Sequence, residues 1–341
     1  MSNKIYDFNS EVSKQEGKFI RSPSKFRNQV TSHTIPNSDS NRTNEQFNSK
    51  FPVEADRYTL YLAHACPWCH RTDLVRVLKG LESVIRVIYV DPILTDQGWR
   101  FSQPETDSGL NATLLREIYL QSDPNYEGKC TVPVLYDRKQ HLIVNNESSE
   151  IIRMMNEQFN ELATRNRELD LYPFEFRKEI DLVNSWIYEN INDGVYKCGF
   201  AQTQYAYEEA FHALFKALLK VENILSRQRY LVAGVKHLTE ADIRLVVTLL
   251  RFDAVYYTHF KCNLKTLRFG FPNLHNYMKD VYQSFDGILK STFHVEKTKQ
   301  HYFGSHRKIN PFGIVPLGPE LDLDSPPANR EFSQIHETVN H

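Results

Sequence analysis

The sequence predicts two domains, a mixed α/β domain followed by an all-helical one. Three observations predict them. Between Tyr58 and Asn156, short β-prone runs alternate with helical patterns in the order strand–helix–strand, then strand–strand–helix. From Phe176 onward the apolar patterns keep helical spacing. A Cys-x-x-Cys pair, Cys66 and Cys69, stands where the first strand gives way to the first helix. At 341 residues the chain has room for two cores.

Residues 1–50 are polar, rich in Ser, Asn and Lys, and without periodicity, so they read as a tail or wrapping arm. The first domain is expected over 51–159. Its first strand is Tyr58-Thr59-Leu60-Tyr61-Leu62, and its first helix carries Leu74, Val77, Leu78 and Leu81 on one face. Ser83–Val90 alternates as a second strand, which makes a parallel βαβ unit. Residues 91–129, punctuated by Asp, Gly and Pro, read as an irregular functional loop holding Trp99 and a helical pattern near Thr113–Leu120. Thr131–Tyr136 reads as a strand with Pro133 marking an edge or a tight, cis-compatible turn, and His141–Val144 is its hairpin partner. Asn145–Glu150 caps a helix bearing Ile151, Ile152, Met154 and Met155.

Polar residues 160–172 read as a linker. The helical domain, 173–290, then shows a stripe of Phe176, Ile180, Val183, Ile187 and Ile191 and another of Phe211, Leu214, Phe215, Leu218 and Leu225. Thr239 with Asp242 three residues on forms a capping box that opens a helix with Ile243, Val246, Val247 and Leu250 buried. Another helix runs from about Asn273 to Phe285. Residues 291–341 form an extension. Its stretch Ile309–Pro316 is apolar enough to pack back across the body, with a frayed end beyond Leu323.

Charge is balanced at net −1, which gives no basic footprint for nucleic acid or an anionic membrane. No apolar run approaches the ~18 residues of a spanning helix. Five cysteines fit a reducing compartment better than a disulfide framework. The start shows no apolar leader and Thr338–His341 is no peroxisomal tripeptide, so a cytoplasmic location is expected. The 18 Tyr and 21 Phe suit pockets for flat ligands and large cores equally.

Cys66 carries the chemistry. At a helix N-terminus, unpaired amides and the positive end of the helix dipole favour thiolate over thiol. Pro67 suits the first helical position, which needs no amide donor. Rival readings exist. With His70 the pair spells C-x-x-C-H, the spacing of c-type haem attachment, which requires export. A zinc site needs two further ligands, and Cys130, Cys198 and Cys262 are isolated in sequence. Two inert core cysteines are the bland alternative. His70 and Arg71 read equally as a solvated helix surface or as groups that hold the thiolate.

Longer motifs narrow the choice. The chain carries Gly17-Lys18-Phe19-Ile20-Arg21 with Ser24–Arg27, Cys66-Pro67-Trp68 with His70-Arg71-Thr72, Gly98-Trp99, Thr131–Leu135 and Val144–Ile152. Its second half carries Gly194–Ala201, Leu238–Leu245, Arg251-Phe252-Asp253, His259–Asn263, His301-Tyr302 and Ile309–Pro316. In this order they resemble the glutathione transferases, and most closely their glutathionyl-hydroquinone reductase branch, the Xi class near the omega class. The fold so implied is an α/β thioredoxin-like N-terminal domain followed by an all-α glutathione transferase C-terminal domain. One departure stands out, because the family usually has Ala where this chain has Cys69.

The resemblance implies roles for single residues. Cys66 is the nucleophile that takes up glutathione as a mixed disulfide. Val132, before a cis-Pro133, offers its backbone to the cysteinyl unit, and Glu147 and Ser148 hold the γ-glutamyl end. Trp99 lies against glutathione, while Tyr196, Tyr302 and Tyr256 line the second substrate's pocket. Each also has a plain structural reading: edge strand, helix cap, loop anchor, packed tyrosine. Cys130, Cys198, Cys262 and His259 are left as structural. Glutathione is the implied co-substrate, with no metal, a small quinone-type glutathionyl adduct the second substrate, and a homodimer the assembly. A cysteine nucleophile favours removing glutathione over conjugating it, and Cys69 offers an internal resolving thiol. The alternatives are a glutaredoxin-like thioltransferase or dehydroascorbate reductase of omega type, and a non-catalytic ligandin-like binding protein.

Overall fold

The computed structural model describes residues 12–13, 16–32 and 49–330. Strand β1 (Tyr58–Leu62) is buried along its whole length and runs into helix α1 (Pro67–Leu78), then into β2 (Ile85–Tyr89). β1 and β2 pair in parallel, whereas β5 (Val134–Asp137) runs antiparallel to β1 and β6 (Leu142–Asn145) antiparallel to β5. The sheet order is therefore β2-β1-β5-β6, and α3 (Ser148–Glu157) follows its last strand. α1 ends because Gly80 turns left-handed, with φ +67°; a Cβ there would stand 2.3 Å from Thr164 Oγ1.

The stretch expected to be irregular, 91–129, has structure of its own. A hairpin of β3 (Arg100–Glu105) and β4 (Ala112–Leu114) leads into α2 (Leu115–Ser122). The pair escapes a periodicity reading because β3 holds Pro104 and only Phe101 and Glu105 turn inward. Residues 160–172 are no loose tether either. Buried Lys79 donates Nζ to the carbonyls of Asn166 (3.1 Å) and Leu169 (2.9 Å), which folds that stretch onto the end of α1.

The helical half consists of α4 (Arg177–Ile187), a π-helical turn Tyr188–Asn192, α5 (Gly194–Phe200), α6 (Gln204–Leu225) and α7 (Glu240–Arg251). α7 opens on the expected Thr239–Asp242 capping box. A second π-helical turn, Phe252–Tyr256, follows it, then α8 (Pro272–Gln283), α9 (Ile288–Thr292) and α10 (Val295–Ser305). The apolar pattern gave no sign of α10, since its buried side includes Thr298, Lys299, His301 and Tyr302. α1 packs on α3 within its own domain and on α7 across the interface.

The extension meets expectation only in part. Ile309 and Val315 pack against the core, whereas Phe312 (85% exposed) and Ile314, with Leu317 beyond them (96%), face solvent. Asn310 Nδ2 pins this segment through the carbonyls of Phe303 and Ile314, and its prolines keep it from laying down one apolar face. Residues 324–330 are anchored by buried Arg330, which donates to the carbonyls of Leu225 and Gln228. The frayed end expected further on, 331–341, lies outside the described residues, as do 1–11 and 33–48 of the arm.

Candidate active site

Cys66 is the N-cap of α1, extended at φ −73°, ψ 121°, with Pro67 at the first helical position. Its sulfur is half-buried and lies 3.7 Å from the Val132 carbonyl oxygen, beside the cis Val132–Pro133 bond. Burial alone pushes the thiol up. The Cys69 thiol, the Cys69 and Trp68 amides and the Arg251 charge outweigh it and bring Cys66 down to about 7. Cys69 is 1% exposed, accepts from the Ala63 amide at 3.4 Å, and is held well above the ordinary thiol value by burial and by its bond to Cys66.

The solvated-surface reading of His70 and Arg71 fails, since both are buried. Arg71 donates to Ser148 Oγ through Nε (3.0 Å) and Nη2 (2.6 Å) and approaches Glu147 at 3.5 Å. Burial, with Arg244 nearby, brings its guanidinium down to about 9, still cationic at neutral pH. Glu147 caps α3 through the Ser149 amide and also accepts from Ser24 Oγ at 3.1 Å. Burial raises this carboxyl, but Arg71 and the Ser149 and Ser24 bonds hold it below the ordinary carboxylate value.

A cleft of about 370 Å³ opens over these groups, walled by Arg21, Trp68, Arg71, Val132, Glu147 and Ser148. The arm supplies one side of it. Phe26 bonds both ways with Asn146, Arg21 reaches Asp193 at 2.7 Å, and Phe19 is 4% exposed. Across the interface, Tyr196 Oη lies 2.6 Å from Tyr302 Oη, and Tyr256 Oη lies 3.2 Å from the same atom. Burial lifts all three phenols above their usual range, and the Cys66 charge adds to it at Tyr196 and Tyr256. α5 presents Tyr196 this close only because position 199 is glycine, where a Cβ would sit 2.2 Å from the Phe260 ring.

The predicted residues fall into three groups. Val132, Pro133, Glu147 and Ser148 wall the cleft next to Cys66. Tyr196, Tyr256 and Tyr302 meet in one hydroxyl cluster. Trp99, expected against glutathione, is 6% exposed and stacks on His301, ring centroids 5.0 Å apart. Arg21, Ser24 and Arg251 were not singled out. Arg21 and Ser24 belong to an arm without periodicity. Arg71 and Arg251 carried a visible signal, a charge on an apolar stripe: Arg71 with Leu74 and Leu78, Arg251 with Ile243 and Val247. Among the described residues, no group of three or more His, Cys, Asp or Glu is arranged to hold a metal, and no helix is long and apolar enough to cross a membrane.

A cysteine at a helix cap, a cis-proline strand beside it and a helical domain closing the cleft define a known architecture. The sequence matches the family models of the glutathione S-transferase N-terminal domain over residues 65–158 and C-terminal domain over 204–280. The chain belongs to the glutathione transferase superfamily, in its Xi/omega-like branch. It is 45% identical to glutathionyl-hydroquinone reductase YqjG of Escherichia coli, over 91% of this chain and 92% of that one. The crystal structure of glutathione S-transferase Xi from Phanerochaete chrysosporium superposes with a TM-score of 0.80 at 46% identity, over 88% of this chain and 97% of that one. The glutathione-bound structure of the E. coli protein gives 0.79 at 43% identity, over 90% of this chain and 96% of that one.

Proposed function

We propose that this glutathione transferase reductively removes glutathione from glutathionyl-hydroquinones and related adducts, with glutathione as co-substrate and thiol transferase activity alongside. One observation carries the reading: a half-buried cysteine at a helix cap, brought down to about 7, lies near enough for its charge to act on two members of a cluster of three buried tyrosine hydroxyls. The kinship with a glutathionyl-hydroquinone reductase and the glutathione held by a structural neighbour support it.

The cleft suits the tripeptide. Val132 offers its backbone to the cysteinyl unit, as one rung of a β-ladder. Glu147 attracts the γ-glutamyl ammonium, while Ser148, Arg71 and the amides opening α3 suit its carboxylate. In the aromatic hydroquinone adduct the leaving carbanion is too basic to depart. Ring protonation gives the keto tautomer, an α-thioketone. The Cys66 thiolate then attacks the glutathionyl sulfur, forming the S–S bond as the C–S bond breaks. Its electron pair goes to an enolate, whose oxygen Tyr196 or Tyr302 meets with a hydroxyl. A second glutathione thiolate attacks Cys66–S–SG, releasing oxidised glutathione and restoring the Cys66 thiolate. The net reaction turns one adduct and one glutathione into hydroquinone and glutathione disulfide.

Tyr302→Phe tests the tyrosine role. It should cut hydroquinone release from glutathionyl-menadiol by about 10²-fold and leave reduction of a simple mixed disulfide nearly intact. Equal losses on both substrates would favour the general thioltransferase instead. The thiol of Cys69, bonded to Cys66, favours one variant of the cycle in which it resolves the mixed disulfide internally. A homodimer in the cytoplasm completes the proposal, and sedimentation velocity on the full chain checks the assembly.

A further inference from the structure

The guanidinium of Arg251, at the end of α7, is 0% exposed and reaches out of the helical domain to the loop that delivers Cys66. Nε donates to the Ala65 carbonyl at 2.7 Å and Nη2 to the His64 carbonyl at 3.0 Å. Nη1 donates to the Val247 carbonyl at 2.7 Å and to His70 Nδ1 at 3.0 Å. That last bond makes Nδ1 an acceptor, so the His70 proton is on Nε2, directed at Thr292 Oγ1 3.0 Å away. The Thr292 hydroxyl in turn donates a hydrogen bond to the Leu289 carbonyl. Every acceptor around Arg251 is thus neutral, and no carboxylate among the described residues pairs with it.

A buried cation without an anion is expensive, and proteins seldom leave one so. The titratable groups that feel the Arg251 charge are few. His64, His70 and His301 come from the loop, α1 and α10, and burial holds each of them neutral. Tyr256, Tyr302 and Cys69 are likewise kept protonated by burial. Cys66, one peptide beyond the Ala65 carbonyl, is the one of these groups displaced toward its charged form.

We infer that Arg251 is the buried counter-cation of the Cys66 thiolate, a positioning residue lent by the helical domain that never touches substrate. This rests on the reading of Cys66 as nucleophile. It has a consequence for turnover. Once Cys66 carries glutathione it is neutral, and Arg251 loses its anion. The mixed disulfide is thereby raised relative to free thiolate, and Cys66 becomes the better leaving group when the second glutathione attacks. One cation therefore favours both the ionisation of Cys66 and the discharge of its glutathione adduct.

The test is the pH profile of Cys66 alkylation by iodoacetamide, from about pH 5.5 to 9.5, followed by peptide mass spectrometry in the full-length protein. Arg251→Gln removes the charge and keeps a donor, whereas Arg251→Lys keeps the charge and loses the fork. The wild type and Arg251→Lys should share a midpoint near 7. Arg251→Gln should move it upward, so that alkylation at neutral pH falls by about fivefold or more. An unmoved midpoint in Arg251→Gln overturns the inference. So does an equal movement in both variants, which would mark Arg251 as a mere holder of carbonyls. If Arg251→Gln does not fold, the wild type decides by nitrogen-15 NMR. The Arg251 Nε resonance should shift with the Cys66 titration and stay still in Cys66→Ala; a resonance indifferent to that titration overturns the inference. Alkylation needs no turnover. An enzyme idle on glutathionyl-hydroquinones, with its Cys66 still governed by Arg251, would refute the proposed function alone.

Discussion

Two ends of the same helix, α7, place charge in the interface between the domains, and they do so differently. At its start Glu240, 1% exposed, accepts from Arg153 of α3 (3.0 and 2.7 Å), from Arg244 (2.8 Å) and from Asn184 of α4 (2.7 Å). At its end Arg251 is as deeply buried but meets carbonyls and a neutral imidazole. The first site is closed: with Asp181 of α4, which pairs with Arg153 at 2.6 Å, two carboxylates meet two guanidiniums, and its bonds tie α3 to α4 and α7. The second is balanced only when Cys66 is ionised. The paired end holds the domains together, and the unpaired end connects that docking to the nucleophile.

The largest expected effect separates the two ends. Glu240→Ala strands the buried Arg244 and leaves Arg153 with Asp181 alone, so it should cost about 3–5 kcal/mol in urea unfolding. The Cys66 midpoint should stay where it is, because the titration depends on the other end of α7. A variant that moved that midpoint as far as Arg251→Gln does would erase the distinction.

A smaller effect sharpens the unpaired end through pH. The folded value of Cys66, about 7, lies below that of an unfolded cysteine near 8.5. The unfolded state therefore binds more protons between the two values, and stability rises with pH there. The contribution is full above the unfolded value and is lost as pH falls through 7. Wild type minus Cys66→Ala should gain about 1–2 kcal/mol on going from pH 6 to 9. A flat difference would mean that the thiolate is not held by the fold. The smallest change is Cys69→Ala, which removes the thiol donor to Cys66 while Arg251 stays. It should raise the Cys66 midpoint by less than about one unit and slow turnover only a few-fold. Loss of all turnover would instead make Cys69 an obligatory resolving thiol.

The same comparison shows what the sequence could convey. The Thr239–Asp242 capping box at the start of α7 is a local signal, complete within four residues, and the structure has it as expected. β1, α1 and the cis Val132–Pro133 strand were legible for similar reasons, since period and punctuation are local. Arg251 was not, although it lies on the stripe of Ile243 and Val247. A lone charge on an apolar face declares burial, but its partner at Ala65 is remote in sequence. The arm behaves likewise. Arg21 and Ser24 acquire meaning only when Phe26 bonds to Asn146 and brings them over the cleft. The surroundings of Trp99 were not legible, because a tryptophan in a long loop fits ligand contact and anchoring equally, and His301, its stacking partner, lies on a helix that the apolar pattern did not reveal.

The central claim is that an ionised Cys66 takes glutathione from a bound adduct. Intact-protein mass spectrometry tests it most directly, on Cys69→Ser, so that internal resolution cannot erase the product. With the reduced adduct, glutathionyl-menadiol, and no free glutathione, one glutathione should be added to Cys66 and one equivalent of menadiol released. Menadiol released from a protein whose Cys66 remains unmodified would contradict it.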